Sequence, residues 1–449
     1  MPPEPQRRED PTRDTFRSSR RSFLRCAALA PAAVFGGCAT GGLSLGSAAF
    51  SFGPAAAEVT SSSVLVWLRT RARGRVSVEY SLDQELSTAL VAPFAEATAE
   101  SDYTVTIEVP GLHPGRQYFY RGVATGLETR ADTARGPIAR FWTAPDVPQE
   151  FRFGWSGDME AGHQPFTLFD RIAEKEPHFF ILLGDAMYAD IPKDRFVRSL
   201  SGYRYKHREN RSDAHLQRFL ASTAVFAMWD DHEVENDFDR THPLIPVGRR
   251  AFREYWPIRT SDPAILYRRF SWGPAADFFV LDCRQYRSPR TEAEGPAKTM
   301  LGRRQKEWFK ENIRSSRAPF KFIVSSVPFL GEWGPDKWSG YATEREELRR
   351  FFLSERITGI IILSADVHAA RDLWSDGLRE FVVGPIAAWP LCQLVRDLRP
   401  RWEASGQFFI CDAFNYGLVT VRPEADPPEA EVQILDGTNT VRHRATVRP

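Results

Sequence analysis

The chain has 449 residues, about three times the length of an average domain, so we expect two domains or one large domain beside a small one. A composition of 42% hydrophobic and 26% charged residues is that of a globular protein, and it excludes a disordered, collagenous or coiled-coil chain. With 59 basic and 58 acidic residues the net charge is +1, so no overall field attracts nucleic acid and we infer no specific nucleic-acid partner.

The first 47 residues have the pattern of a targeting segment rather than of a folded domain. A basic stretch with paired arginines precedes a short, weakly apolar run, which is typical of a twin-arginine (Tat) export signal: Ser19-Arg20-Arg21-Ser22-Phe23-Leu24-Arg25. We therefore expect the Tat machinery as a partner, and a periplasmic, extracellular or surface-anchored location. The structural alternative to the export signal is a disordered basic tail that happens to contain paired arginines. Cys38 resembles a lipoprotein processing site, so a lipid anchor there stays open.

Few cysteines remain after processing. Removal of the leader with Cys26 leaves Cys283, Cys392 and Cys411, an odd number without a Cys-x-x-Cys pair. We predict no disulfide framework, with three free thiols as the simplest interpretation. One bridge among the three stays open in an oxidising compartment.

Two regions with different patterns follow the leader. From 48 to 145, short alternating segments separated by turn residues indicate antiparallel strands and a small β-sandwich. Its stretch Gly111 to Tyr118 resembles the corner of fibronectin type III sandwiches, where a tyrosine ties the turn. From 150 to 449, buried strands alternate with helical stretches, which predicts a layered α/β domain. The final segment from Tyr416 to Val447 predicts strands again.

Four polar clusters follow apolar strands of the second region. They are Ser156-Gly157-Asp158, Gly184-Asp185-Ala186-Met187-Tyr188, Trp229-Asp230-Asp231-His232-Glu233 and Ser364-Ala365-Asp366-Val367-His368. Loops beyond strand ends are where α/β folds place their ligands. Each cluster alone has a structural explanation, such as a turn or a hydrogen-bonded pair. Together they offer carboxylates, imidazoles and a phenol without thiols, which favours two hard cations about 3.5–4 Å apart, arranged for attack on phosphorus.

On these motifs the chain resembles the PhoD-like alkaline phosphatases and phosphodiesterases of the calcineurin-like metallophosphoesterases, over about residues 48–449. Further shared stretches are Leu281 to Arg287, Leu301 to Trp308, Asp336 to Tyr341 and Val383 to Ile386. The resemblance implies a four-layer α/β/β/α catalytic domain behind the sandwich. It also implies hydrolysis of phosphate mono- or diesters by a metal-activated hydroxide, with iron(III) and calcium as cofactors.

The resemblance assigns the first ligands. It implies that Asp185 bridges two metal ions and takes part in catalysis, and that Tyr188 ligates iron(III), since a phenolate is a strong donor for ferric ion. The family commonly has a cysteine where this chain has Asp158. We expect Asp158 to replace that ligand, and oxygen in place of sulfur hardens the site.

The same resemblance assigns the closing ligands. Asp366 and His368 are expected to contribute one ligand to each side of the cluster. Asp231 lies where related enzymes have an asparagine ligand, and Asn236 is a nearby competitor for that position. His232 is then catalytic, stabilising the charge at phosphorus or protonating the leaving oxygen.

Basic residues offer candidate phosphate contacts. Arg284 and Arg287 can hold phosphate oxygens or brace the strand end they follow, and both interpretations stay open. For the basic stretch Tyr203 to Phe219 we expect a solvated face rather than a phosphate-binding lid.

Two other functions compete with the phosphatase. A purple acid phosphatase shares the sandwich and the Gly-Asp-x-x-Tyr element, but it expects Gly-Asn-His-Glu where this chain has Asp230 to Glu233. A cell-surface binding protein on a metal-free scaffold is the non-enzymatic alternative. The sequence does not identify the phosphate ester.

Overall fold

The computed structural model describes residues 49–126, 133–395, 398–399 and 407–449. The predicted export signal with Cys26 and the candidate lipidation site Cys38 lie outside these ranges. Among the described residues, no helix combines the length and the apolar character that a membrane span needs.

The strands of the N-terminal region, in chain order, are β1 (Phe50–Ala57), β2 (Ser63–Thr70), β3 (Gly74–Ser81), β4 (Leu90–Val91), β5 (Ala95–Ala97), β6 (Thr104–Pro110), β7 (Gln117–Thr125), β8 (Ala134–Arg135) and β9 (Ala139–Trp142). The later strands are β10 (Phe151–Ser156), β11 (Phe179–Leu183), β12 (Ala224–Met228), β13 (Arg268–Trp272), β14 (Ala276–Val280), β15 (Phe320–Val324), β16 (Ile360–Ser364), β17 (Ala370–Ser375), β18 (Leu378–Val382), β19 (Phe409–Ile410), β20 (Asn415–Arg422), β21 (Glu429–Asp436) and β22 (Val441–Val447). The helices are α1 (Leu168–Ala173), α2 (Leu200–Arg211), α3 (Ala214–Ser222), α4 (Ile245–Tyr255), α5 (Gly302–Ser315), α6 (Ala342–Ser354) and α7 (Leu391–Leu394), with short 3-10 turns at Ala99–Ser101, Ala161–His163, Lys193–Arg195 and Trp338–Tyr341.

Within the described part of the chain the strands form three sheets. The first has the order β22-β21-β20-β10-β11-β12-β1-β2-β6, and the second has the order β13-β14-β15-β16-β18-β17-β19. The third runs β4-β3-β7-β8, with β5 paired to β3 and β9 paired to β7. The strands β10, β11 and β12 are parallel, and so are β14, β15 and β16. Their carboxyl ends therefore lie along one edge of each sheet.

Aromatic side chains join the first two sheets face to face. Phe153 on β10 stacks on Phe179 at 5.0 Å between ring centroids, and its edge meets Phe278 and Phe322 of the second sheet at 5.1 Å each. Helices α1, α3 and α4 pack on the outer face of the first sheet, while α5 and α6 pack on the second. This confirms the predicted four-layer α/β/β/α arrangement.

The N-terminal strands pack as two sheets and carry the predicted tyrosine corner. The hydroxyl oxygen of Tyr118 accepts the backbone N–H of His113 at 2.9 Å. The sheet of β1, β2 and β6 also continues into the α/β region, because β1 pairs in parallel with β12 at Ala57 and Val225. Glu58, directly after β1, forms a buried ion pair with Arg268. The boundary near residue 145 stays a prediction, but this hydrogen-bonded sheet extends across it.

Two expectations about side chains are wrong. Three free thiols were the simplest interpretation, yet Cys392 and Cys411 form a disulfide and only Cys283 among the described cysteines is free, buried in the core. The basic stretch Tyr203 to Phe219 is not solvated throughout, since Lys206 and Arg211 are buried while the side chain of Arg218 is 42% exposed. Arg211 lies over the ring of Trp256 at 3.9 Å, so burial against aromatic rings replaces solvation of its charge.

Candidate metal centre

The four polar clusters meet at the carboxyl ends of the parallel strands. Asp158 follows β10, Asp185 follows β11, Asp231 follows β12, and His368 follows β16. Asp158, Asp185 and His368 have positive φ angles of 65°, 51° and 53°, a backbone conformation that non-glycine residues adopt rarely and mainly where the surrounding structure enforces it. The chain thus turns sharply at each strand end and directs these side chains into one buried space.

Asp158, Asp185 and His368 form the first ligand group. Each offers one ligand atom, and these atoms lie within 4.8 Å of one another. Nε2 of His368 is 3.6 Å from Oδ1 of Asp158 and 3.2 Å from the hydroxyl of Tyr188. The phenol predicted to ligate a metal therefore lies beside this group, and all four residues are buried.

Asp185, Asp231 and His232 form the second ligand group under the same distance criterion. Because Asp185 belongs to both groups, it occupies the position of a bridging carboxylate. His232 stacks on the ring of Tyr188 at 4.0 Å, and its Nδ1 lies 2.6 Å from Oδ1 of Asp190. A carboxylate on one ring nitrogen fixes the proton there and leaves the other nitrogen for chemistry.

A third group of carboxylates is also close enough to hold an ion: Asp230, Asp231 and Asp366. Side-chain cations already contact this group, which we call the ion-paired cluster. Arg284 binds Asp230 through two hydrogen bonds of 2.5 and 2.7 Å and donates a third, of 2.7 Å, to Oδ1 of Asp366. Lys337 forms an ion pair with the second oxygen of Asp366. The structure therefore places Asp366 against two cations and outside the first and second ligand groups.

Sequence reasoning missed three residues that organise the site. Asp190 orients His232 through the contact given above. Glu233 is fully buried, and its carboxylate accepts the backbone N–H groups of Asp185, Ala186 and Asp230 at 3.2, 2.6 and 2.8 Å. Lys337 lies in a stretch that carried the resemblance, which was its only signal. Glu233 follows His232 in one of the polar clusters, but its hydrogen bonds to the turn after β11 depend on tertiary contacts that spacing does not reveal.

The two remaining predicted residues have other contacts. The guanidinium of Arg287 donates to the backbone oxygens of Phe238 at 2.9 Å and Asp336 at 2.7 Å, which favours the bracing role over phosphate binding. Asn236 is exposed, and its backbone N–H donates to Asp190 at 3.0 Å. As the buried member of the pair, Asp231 is the better placed of the two for a ligand role.

Burial and mutual repulsion set the electrostatics of the site. Burial, followed by the charges of neighbouring carboxylates, raises the pKa of Asp185 well above its usual value, and the pKa of Asp158 is raised for the same reasons. Burial alone would raise the pKa of Asp231, but Arg284 and His232 outweigh it and the pKa falls. Burial would lower the pKa of His232, but Asp231 and Asp190 raise it.

The donor set fits bound cations. Oδ2 of Asp158 and Oδ1 of Asp231 are buried and have no hydrogen-bond partner among the described residues, a state that costs free energy unless another group satisfies the oxygen. One such oxygen belongs to each ligand group. Gly384 leaves room at the first of them, since a Cβ at this residue would lie 2.4 Å from Oδ2 of Asp158.

Fold and site together define a class of α/β protein in which two sheets pack face to face and the ends of their parallel strands converge on a buried group of potential metal ligands. Residues 153–396 match the PhoD-like phosphatase family, and residues 37–145 match the N-terminal domain of PhoD-like phosphatases. The chain belongs to the PhoD-like phosphatase family.

Individual relatives agree with this assignment. Alkaline phosphatase D of Bacillus subtilis (strain 168) is 27% identical over 393 residues, which cover 73% of this chain and 65% of that protein. The chain thus spans slightly less than two thirds of the length of this curated relative. A solved structure of PhoD superposes with a TM-score of 0.75 at 24% identity, covering 90% of this chain and 89% of the other. Purple acid phosphatase PPD1 of yellow lupin (Lupinus luteus) shares the fold at a TM-score of 0.62 and 13% identity, covering 88% and 74%.

Proposed function

We propose that the protein is a metal-dependent phosphoesterase that hydrolyses phosphate mono- or diesters. The observation that carries the proposal is Asp185, a buried carboxylate shared by two ligand groups that each contain an unpartnered carboxylate oxygen. Membership of a family of phosphatases and the similarity to alkaline phosphatase D support it. In the metal-free, non-enzymatic alternative, the buried Oδ2 of Asp158 and Oδ1 of Asp231 would have no partner among the described residues.

Each ligand group would hold one cation. Asp158, Asp185, His368 and Tyr188 provide the oxygen, nitrogen and phenolate donors that suit iron(III). Asp185 and Asp231 provide oxygens that suit calcium, for which an imidazole is a poor ligand. Bound cations would supply Lewis-acid chemistry, polarising the phosphate and making an attacking water more acidic.

The remaining residues position groups and move protons. Asp190 holds Nδ1 of His232, and the carboxylates around the ring favour its protonated form. His232 is therefore suited to donate a proton to the leaving oxygen of the ester. Glu233 fixes the backbone of Asp185 and Asp230 through its hydrogen bonds, so the two strand ends keep their spacing during turnover.

We further propose export by the twin-arginine route, with lipid attachment at Cys38 as one outcome of processing. The paired Arg20 and Arg21 support the route. The disulfide of Cys392 and Cys411 supports an oxidising destination, because such bonds are rare in the reducing cytosol.

Elemental analysis of the Asp185→Asn variant tests the proposed activity. We expect two metal ions in the wild-type chain, purified after export through its own signal, and loss of both in the variant, since one carboxylate serves both groups. Hydrolysis of p-nitrophenyl phosphate and its bis-ester should fall to background together with the metal. An absorption band of a phenolate bound to iron(III) would identify Tyr188 as a ligand.

Asp277→Asn is the matched control. Asp277 is equally buried but lies near the start of β14, where it accepts hydrogen bonds from Ser271 and Ser316. This variant should keep both metals and turnover. Wild-type protein that retains no metal, or an Asp185→Asn variant with full turnover, would contradict the proposal.

A further inference from the structure

The segment before and within α7 contacts His368 from two sides. Nδ1 of His368 lies 2.6 Å from the backbone oxygen of Trp389, and its own carbonyl accepts the N–H of Leu391 at 2.8 Å. A carbonyl next to Nδ1 requires the proton on that nitrogen. Nε2 is therefore left free of a proton and is directed toward Tyr188 and Asp158.

The disulfide anchors this segment. Cys392 follows Leu391 directly and is bonded to Cys411, whose backbone oxygen also accepts the N–H of Cys392 at 2.7 Å. Cys411 follows β19, and β19 pairs with β17 at Ala370, two residues after His368. Covalent and hydrogen bonds thus form a closed ring from His368 through β17, β19 and the disulfide back to Leu391.

Other contacts hold the residues before α7, since Ala387 pairs with Met159 in an isolated bridge and the ring of Trp389 meets that of His163 at 4.6 Å. The apolar packing around α7 is slight. Val367 and Ala369, the neighbours of His368, belong to a small apolar cluster whose buried members are completed by Val382 and Cys411. α7 itself has four residues and buries none of them. A cluster of this size contributes little hydrophobic free energy, so the disulfide is an important constraint on α7 itself. His368 also has a positive φ of 53°, which its surroundings must enforce.

We propose that the disulfide of Cys392 and Cys411 is a positioning element for His368, which keeps the first ligand group in its metal-binding geometry. Reduction of the disulfide then weakens metal retention at this group and leaves the second group, with Asp231 and His232, intact. The inference rests on the proposed function, because it takes His368 as a metal ligand. It assigns the cross-link a role in the site rather than in overall stability alone.

The test compares the full chain with its Cys392→Ser/Cys411→Ser variant, both loaded with Zn²⁺ and dialysed against a competing chelator. We expect two zinc ions per wild-type chain and one per variant chain, with affinity at the lost position about 10- to 100-fold weaker, as for other residues that orient a ligand. A phosphine should produce the same change in wild type: it breaks the disulfide, water supplies the oxygen of the phosphine oxide, and two thiols form. The variant should not respond to it.

Val432→Ala in β21 is the matched control, because it removes buried apolar volume from a different apolar cluster than the one that contains Cys411. It should lower the melting temperature while both zinc ions stay bound. A disulfide variant that binds two zinc ions with wild-type affinity would overturn the inference. Loss of both ions together with loss of the far-ultraviolet circular dichroism signal would also overturn it, because the disulfide would then stabilise the whole fold. Wild-type protein that binds neither zinc nor iron and calcium would instead refute the proposed function.

Discussion

Asp158 and Asp230 are equally buried, at 1% exposure each, yet they differ in their partners. Asp230 receives two hydrogen bonds from Arg284, whereas Asp158 has one oxygen without any partner among the described residues. The ion-paired cluster contains its own counter-charges, while the first ligand group has a carboxylate pair, an imidazole and a phenol but no arginine or lysine. The difference indicates where the fold supplies a cation itself and where it requires one from solution.

Replacing Arg284, the side-chain cation that contacts Asp230 and Asp366, should have the largest effect on stability. Arg284→Met leaves Asp230 and Asp366 buried without their main partner, so we expect the free energy of unfolding of the metal-free protein to fall by about 3–5 kcal/mol. Urea unfolding measures this change. Arg303→Met, at an ion pair whose arginine is 87% exposed, should change stability by less than about 1 kcal/mol.

A different outcome would reverse the comparison. If Arg284→Met keeps wild-type stability and only raises KM, the arginine binds substrate phosphate. It would then not be the counter-charge that stabilises the ion-paired cluster.

Filling the space beside Asp158 should affect the first ligand group selectively. Gly384→Ala would place a Cβ 2.4 Å from Oδ2 of Asp158, so we expect metal affinity at that group to fall about 10- to 100-fold. Chelator competition followed by elemental analysis measures it. Gly377→Ala is the control, since Gly377 also has a positive φ, 79° against 110°, but has no atom within 4 Å of the added Cβ. Equal metal loss in both variants would attribute the effect to backbone strain alone.

His207 on α2 illustrates a third way to bury an ionisable group, which is to keep it neutral. It stacks on Tyr255 at 4.9 Å, and burial, followed by repulsion from Arg211, lowers its pKa to about 3. The unfolded chain binds a proton near pH 6.5 while the folded chain does not, so stability falls as the pH drops below 6.5. At pH 5.5 this loss is about 1.4 kcal/mol.

The His207→Phe variant of the metal-free protein should lose that part of its acid sensitivity, as measured by urea unfolding at pH 7.5 and 5.5. His113→Gln, at an exposed histidine, should leave the pH dependence as it is in wild type. An unchanged pH dependence in His207→Phe would mean that His207 is charged in the folded protein.

The layers of the fold were predictable because local patterns determine them. The apolar runs at β11, β15 and β16 are buried along their whole length, and the predicted strands from Tyr416 to Val447 form β20, β21 and β22. The polar clusters were found for a similar reason, since ligands follow parallel strands at a shared edge. Their convergence required no knowledge of loop packing.

The details that the sequence does not show depend on contacts between distant segments. Asp366 pairs with Lys337 because the loop before α6 folds over the end of β16, and no spacing in the sequence encodes that approach. The disulfide depends on β19 pairing with β17. One face of α2 is buried, where Arg211 meets Trp67 and Trp256 from other parts of the chain, so its basic composition was a poor guide to exposure.

The order of the nine-stranded sheet has a consequence for the time course of folding. β1 pairs with β12, about 170 residues later, and β10 pairs with β20, more than 250 residues later. A ribosome adding roughly 5–20 residues per second would release β10 and β11 many seconds before β20 to β22 emerge. β10, the strand that precedes Asp158, therefore keeps an open edge until β20 emerges, and the sheet is completed only after translation of the last strands.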